Sequence, residues 1–109
     1  DVRLALRLDA GKHKLPSPSD VDGLRRYRKK VKIAYLILNV DSDDWGDLAE
    51  THRKRVSVMF MPLLRSIYPR ADLFLTVYDG ADAVANASWK RGNAAASTDV
   101  GSDANGPDR

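Results

Sequence analysis

The chain reads as an α/β domain built on a βαβ unit, with parallel strands over residues 31–40 and 72–79. Three observations predict this. Two stretches, "VKIAYLILNV" and "ADLFLTVYD", are almost continuously apolar. Runs of that kind are typical of strands covered on both faces, which favours a parallel sheet with helices packed on it. Between them lies a segment whose apolar residues recur at helical rather than alternating spacing. A strand, helix, strand succession of this length closes as a right-handed crossover in nearly all known cases.

Each element has its own local reason. "VRLALRL" places Val2, Leu4, Leu6 and Leu8 on one face and Arg3, Ala5 and Arg7 on the other, so residues 2–8 form an extra N-terminal strand. "GKHKLPSPSDVDG" is rich in proline, serine and glycine and marks a loop. Gly23 interrupts any helix in the basic stretch that follows, so residues 11–30 read as a loop and basic linker. In "DSDDWGDLAETHRKRVSVMFMPLLRSIYP", Trp45, Leu48, Ala49, His52, Val56, Met59, Phe60, Leu63 and Ile67 fall on one helical stripe. The spacing predicts a long helix over about 44–68, capped by Ser42 or Asp43 and kinked at Pro62, which cannot donate a backbone hydrogen bond. The competing reading makes "VSVMF" a strand and starts a short helix at Pro62. Beyond Val84 only Trp89 and Val100 are sizeable apolar groups, which predicts a disordered tail over 86–109. One small domain or half-domain over 1–85 results.

Composition narrows the function classes. Of the chain's 109 residues 43% are hydrophobic, an ordinary share for one modest core. There is no cysteine, which excludes disulfides and cysteine-ligated zinc, and His13 and His52 are too few and too far apart in sequence for a histidine-rich metal site. No apolar run approaches the roughly 20 residues that span a bilayer. The chain begins on Asp1 without a signal-peptide pattern, which implies a removed leader or an excised piece. The net charge is +3, and six of the eight residues from Arg25 to Lys32 are basic.

In an open parallel sheet, ligands bind beyond the carboxyl ends of the strands. "NVDSDD" and "YDG" fall there, so Asn39, Asp41, Asp79 and Gly80 are candidate nucleotide-binding positions. A strand-end carboxylate accepts hydrogen bonds from a ribose, and a glycine beside it lets the backbone turn sharply. Capping by Ser42 to Asp44 and a plain turn at Asp79-Gly80 explain the same residues without a ligand. The cluster Arg25, Arg26, Tyr27, Arg28, Lys29 and Lys30 could follow a phosphate backbone and stack a base, or be a solvated face. Asn86-Ala87-Ser88 matches a glycosylation sequon. Ser97 and Ser102 have no partner base nearby in sequence, and no catalytic constellation is complete.

"KIAYLIL" followed by "LLRSIYPRADLFLTVYDGA" resembles the opening of the branching N-acetylglucosaminyltransferase and peptide O-xylosyltransferase family. That family begins its catalytic domain with an isoleucine-alanine-tyrosine-leucine strand, then a helix ending in leucine-arginine-alanine-isoleucine-tyrosine, then a strand ending in aspartate. The resemblance covers about half the chain. It implies a fragment of a nucleotide-sugar-binding domain, inverting transfer from a UDP-sugar in the full-length family, a Golgi location, and Asp79 in the nucleotide-proximal position. The histidine two residues before that aspartate is replaced by Val77, and the family's catalytic base would lie downstream of this chain. The fragment is therefore expected to bind rather than to catalyse. The alternatives are a small nucleic-acid-binding module using Arg25 to Lys32, and an α/β fragment without a ligand.

Overall fold

A computed structural model describes residues 3–40 and 45–100. In chain order the elements are β1 (Arg3–Asp9), α1 (Val21–Lys30), β2 (Ile33–Val40), α2 (Glu50–Val58), α3 (Met61–Ile67), β3 (Asp72–Asp79), β4 (Asp82–Trp89) and β5 (Ser97–Asp99). The strands form one five-stranded sheet in the order β1-β2-β3-β4-β5. β2 and β3 are parallel, with Ile33 opposite Asp72 and Val40 opposite Asp79, and every other neighbouring pair is antiparallel. The predicted βαβ unit is present, with the N-terminal strand added at one edge and a hairpin with a short fifth strand at the other.

The core lies on one face of the sheet. Ala34, Leu36 and Leu38 from β2 and Leu73, Leu75 and Val77 from β3 are buried there, together with Ala85 and Ala87 from β4. Across this face α2 packs on β3, β4 and β5, and α3 packs on β3. The intervening residues Tyr35, Ile37, Phe74, Thr76 and Tyr78 are half-buried or exposed on the opposite face. The apolar runs therefore signalled strands correctly, but the strands are covered by helices on one side only.

The helical segment bends as its proline requires. α2 ends at Val58, Met59 and Phe60 form the corner, and Pro62 sits in the first turn of α3, where its missing N–H costs nothing. "VSVMF" is thus not a strand. The buried stripe is displaced by about one residue from the predicted one: Arg53, Ser57, Met61, Leu64 and Tyr68 are buried, while His52, Met59 and Leu63 are exposed. Polar residues occupy the inward positions of α2, which hid them from a hydrophobicity pattern. They are satisfied locally. Arg53 donates to the carbonyls of Leu48 at 3.0 Å and Val100 at 3.1 Å, and Ser57 Oγ donates to the Arg53 carbonyl at 2.7 Å.

Two further expectations need correction. The basic linker is a helix, α1, started by Asp20, whose Oδ1 accepts from the Gly23 backbone N–H at 2.9 Å. Gly23 permits this helix rather than breaking it, because a Cβ at that position would collide with the Asp20 carboxylate. The disordered tail predicted over 86–109 is ordered from Asn86 to Val100, and residues 101–109 lie outside the described residues. Asn86 to Trp89 complete β4, β5 follows, and Val100 is buried beneath α2. Small alanines fill the inward positions of β4, so its alternation carries little hydrophobic signal.

Candidate functional site

The exposed face of the sheet gathers side chains from β1, β2 and β3. Register places Arg3 beside Asn39, Ala5 beside Ile37 and Arg7 beside Tyr35, and then Tyr35 beside Phe74, Ile37 beside Thr76 and Asn39 beside Tyr78. Strand side chains alternate between faces, so all of these project to the same side. Tyr35 and Phe74 are stacked, with ring centroids 5.1 Å apart and planes inclined by 22°. Tyr35 remains 44% exposed, a large share for an aromatic ring in a central strand. Arg7, Tyr35, Ile37, Thr76 and Tyr78 border a shallow depression of about 300 Å³. A flat aromatic pair, a guanidinium and the hydroxyls of Thr76, Tyr35 and Tyr78 thus share one open surface.

These residues were missed as a site because the aromatic and branched residues of β2 and β3 were counted as core. One signal was available. In β1 the outward positions Arg3 and Arg7 alternate with leucines, so the face they share with Tyr35 had to be wet.

The predicted rim is a different place. Asp79 ends β3 opposite Val40, next to the Asn39–Tyr78 pair, so the ends of the two parallel strands do lie side by side. Asn39 and Gly80 are exposed, and Asp41 lies outside the described residues, as do Ser42 and Asp43. Asp79 also opens a hairpin: it pairs with Asp82, and Gly80 takes the left-handed conformation at φ +61°. A two-residue loop with glycine first and a negative φ next is the type II′ arrangement that suits a twisted hairpin. The chain therefore returns at once as β4 rather than entering a helix whose N-terminus could face a phosphate.

The basic cluster lies on α1. Arg25, Arg26, Arg28, Lys29 and Lys30 are exposed, while Tyr27 packs against the core. Arg25, Arg28 and Lys29 border a groove shared with Ser66, Ile67 and Pro69, on the side of the helices. Tyr27 is thus a packing residue, and these cations are not on the stacking face. Burial raises the pKa of the Tyr68 phenol above 10.0, partly opposed by the nearby Arg28. Asn86 is exposed in β4, flanked by Thr76 and Asp99 on the neighbouring strands, so the sequon sits within the sheet and not in a loop. No cluster of three or more metal-ligating side chains occurs among the described residues, and no described helix is long and apolar enough to cross a membrane.

No protein-family model matches the chain, and no curated protein does. Among solved structures, it is similar to the C-terminal domain of sex pheromone staph-cAM373 precursor from Staphylococcus aureus, with a TM-score of 0.52 and 12% sequence identity. The similarity covers 94% of this chain and 35% of that one, so this chain spans about a third of the other's length. At this identity the likeness is one of fold alone.

Proposed function

We propose that this domain is a single-stranded nucleic-acid-binding module whose open sheet face stacks bases. The observation that carries the reading is the exposed Tyr35–Phe74 stack beside Arg7. Sheet surfaces with exposed aromatic rings bind unpaired bases because every base has a π-face, and each stacked base contributes about 1–3 kcal/mol. Arg7 supports a neighbouring phosphate, and Thr76, Tyr78 and Asn39 can reach base edges. The cations of α1 add a sequence-independent attraction that draws a polyanion toward the domain.

Fluorescence anisotropy with a labelled single-stranded oligonucleotide tests this. Tyr35→Ala is expected to weaken binding roughly 5- to 150-fold, the range of one lost stacking contact, while leaving the salt dependence unchanged. Replacing Arg25, Arg26, Lys29 and Lys30 with glutamine is expected instead to slow association at low salt, since it removes the long-range attraction and no stacking contact. Absence of binding to RNA or DNA at low salt would end the proposal.

A second reading, nucleotide-sugar binding at the rim, has one observation in its favour: Val40 and Asp79 are register partners at the carboxyl ends of parallel strands. The immediate hairpin after Asp79 weighs against it. On this reading Asp79→Asn weakens UDP binding without lowering stability, and an isothermal titration that detects no heat with the wild-type chain disposes of it.

A further inference from the structure

The two edges of the sheet are finished differently. β5 closes one side with three residues, Ser97, Thr98 and Asp99, a strand too short and polar to template another. β1 closes the other with seven residues, paired to β2 in unbroken register from Arg3 opposite Asn39 to Asp9 opposite Ile33. It holds no proline and no bulge, two of the devices that keep an edge strand from pairing further. The outer rim of its peptide groups faces no described strand.

β1 also carries apolar surface that the core does not use. Leu4 and Leu6 lie opposite Leu38 and Leu36, on the side of the sheet that bears the helices, yet they are 51% and 44% exposed. α2 and α3 pack on β3, β4 and β5 and leave these leucines open. Side chains alternate along a strand, so Leu4, Leu6 and Leu8 share that side, while Arg3, Ala5, Arg7 and Asp9 share the open face.

A second copy of β1 laid antiparallel along the rim must keep this alternation, so the allowed registers differ by steps of two residues. Centred on Leu6, the pairing engages all seven residues. Leu6 then meets its own counterpart, Leu4 meets Leu8, Ala5 meets Arg7, and Arg3 meets Asp9. The two-fold relation makes the Arg3–Asp9 pair occur twice. One step in one direction sets Arg3 against Arg7, and one step in the other sets Arg7 against Arg7; like charges directly opposite are destabilising. Larger steps leave at most three residues paired. The charges on this strand therefore admit a copy of itself in one register.

We propose that the chain forms a two-fold symmetric dimer by antiparallel pairing of β1 with β1 of a second copy, centred on Leu6. The same patch serves both copies, so the contact closes at two and joins the five-stranded sheets into one. The leucines of the two strands cover one another on the helix side. Both Tyr35–Phe74 stacks face the opposite side together, although the dimer does not depend on what binds there.

Sedimentation equilibrium of the full chain is expected to show monomer and dimer with no larger species. Arg3→Asp sets aspartate against Asp9 twice and is expected to weaken dimerisation about fourfold or more. Adding Asp9→Arg restores opposite charges with the signs exchanged and is expected to recover most of the affinity. Because the chain has no cysteine, a single introduced one reports the register. Leu6→Cys is expected to form an intermolecular disulfide on mild oxidation, since directly opposed residues lie about 5.5 Å apart between Cα atoms, within disulfide reach. Leu4→Cys stands four residues out of step with its counterpart and is expected not to crosslink. The proposal is overturned if the chain stays monomeric at millimolar concentration. It is overturned equally if the double charge variant dimerises no better than Arg3→Asp, or if Leu4→Cys crosslinks as readily as Leu6→Cys.

Discussion

The two faces of the sheet are written in the same strands, one residue apart. On β3, Leu73, Leu75 and Val77 are at most 1% exposed, while Phe74, Thr76 and Tyr78 between them remain partly open. On β2 the same alternation separates Leu36 from Tyr35 and Ile37. The covered face is held by helices whose inward stripe mixes apolar residues with Arg53 and Ser57. The open face also carries aromatic and branched residues, Tyr35, Ile37, Phe74, Thr76 and Tyr78, but no described helix lies over it. Stability is therefore concentrated on one side, and the other side can present apolar surface without being needed for the core.

The sharpest test of that division compares neighbours. Leu75→Ala is expected to lower unfolding free energy by about 2–5 kcal/mol, because it leaves a cavity among fully buried neighbours. Tyr35→Ala on the open face is expected to cost no more than about 1 kcal/mol, the usual scale of a cross-strand aromatic pair. Urea unfolding of both variants decides it, and equal losses would show that the open face is covered in solution.

The covered face was legible only in part, for physical reasons. β2 and β3 announce themselves because Ile, Leu and Val crowd them. Their second face was misread because Tyr35, Ile37 and Phe74 imitate burial in a hydrophobicity pattern. β4 was invisible for the converse reason: Ala85 and Ala87 are buried but small, and Asn86 and Ser88 between them look like loop residues. α2 was found, but with its face turned by one residue, since a buried arginine counts as polar in any pattern. Of the candidate site, the arginines of β1 were visible as outward residues. Their meeting with Tyr35 required the register between β1 and β2, which no local pattern contains.

A second test concerns the edge where α3 meets the hairpin. Arg65 donates to the carbonyls of Ala71 at 2.6 Å and Trp89 at 2.9 Å, and its guanidinium lies 5.0 Å from the centre of the Trp89 ring. Arg65→Lys keeps the charge but loses the planar fork that serves two carbonyls at once. A loss of about 1–3 kcal/mol in thermal or urea unfolding is expected, within the range of charge-assisted hydrogen bonds. If lysine substitutes freely, the hairpin is held to the helices by packing alone.

The smallest effect is confined to alkaline solution. Tyr68 has its pKa raised by burial, so above pH ~10 the unfolded phenol ionises while the folded one still holds its proton. Stability from this group is complete below the unfolded value and is lost as pH rises through the folded one. Tyr68→Phe is expected to flatten the decline in stability above pH ~10 and to change little at pH 7. An unchanged alkaline profile would mean that Tyr68 is open to solvent.

The order of strands in space repeats their order along the chain, and this bears on how quickly each joint can form. β3 and β4 meet through the Gly80-Ala81 corner, so their pairing asks for almost no loop closure, and hairpins of this kind assemble in microseconds. β2 must wait for the whole helical segment before it can lie beside β3, and such distant pairings are slow to assemble. The hairpin is thus placed to be the template on which the parallel joint later docks. Gly80→Ala, which forces a left-handed backbone onto a residue with a Cβ, should then slow refolding more than it hastens unfolding in stopped-flow measurements.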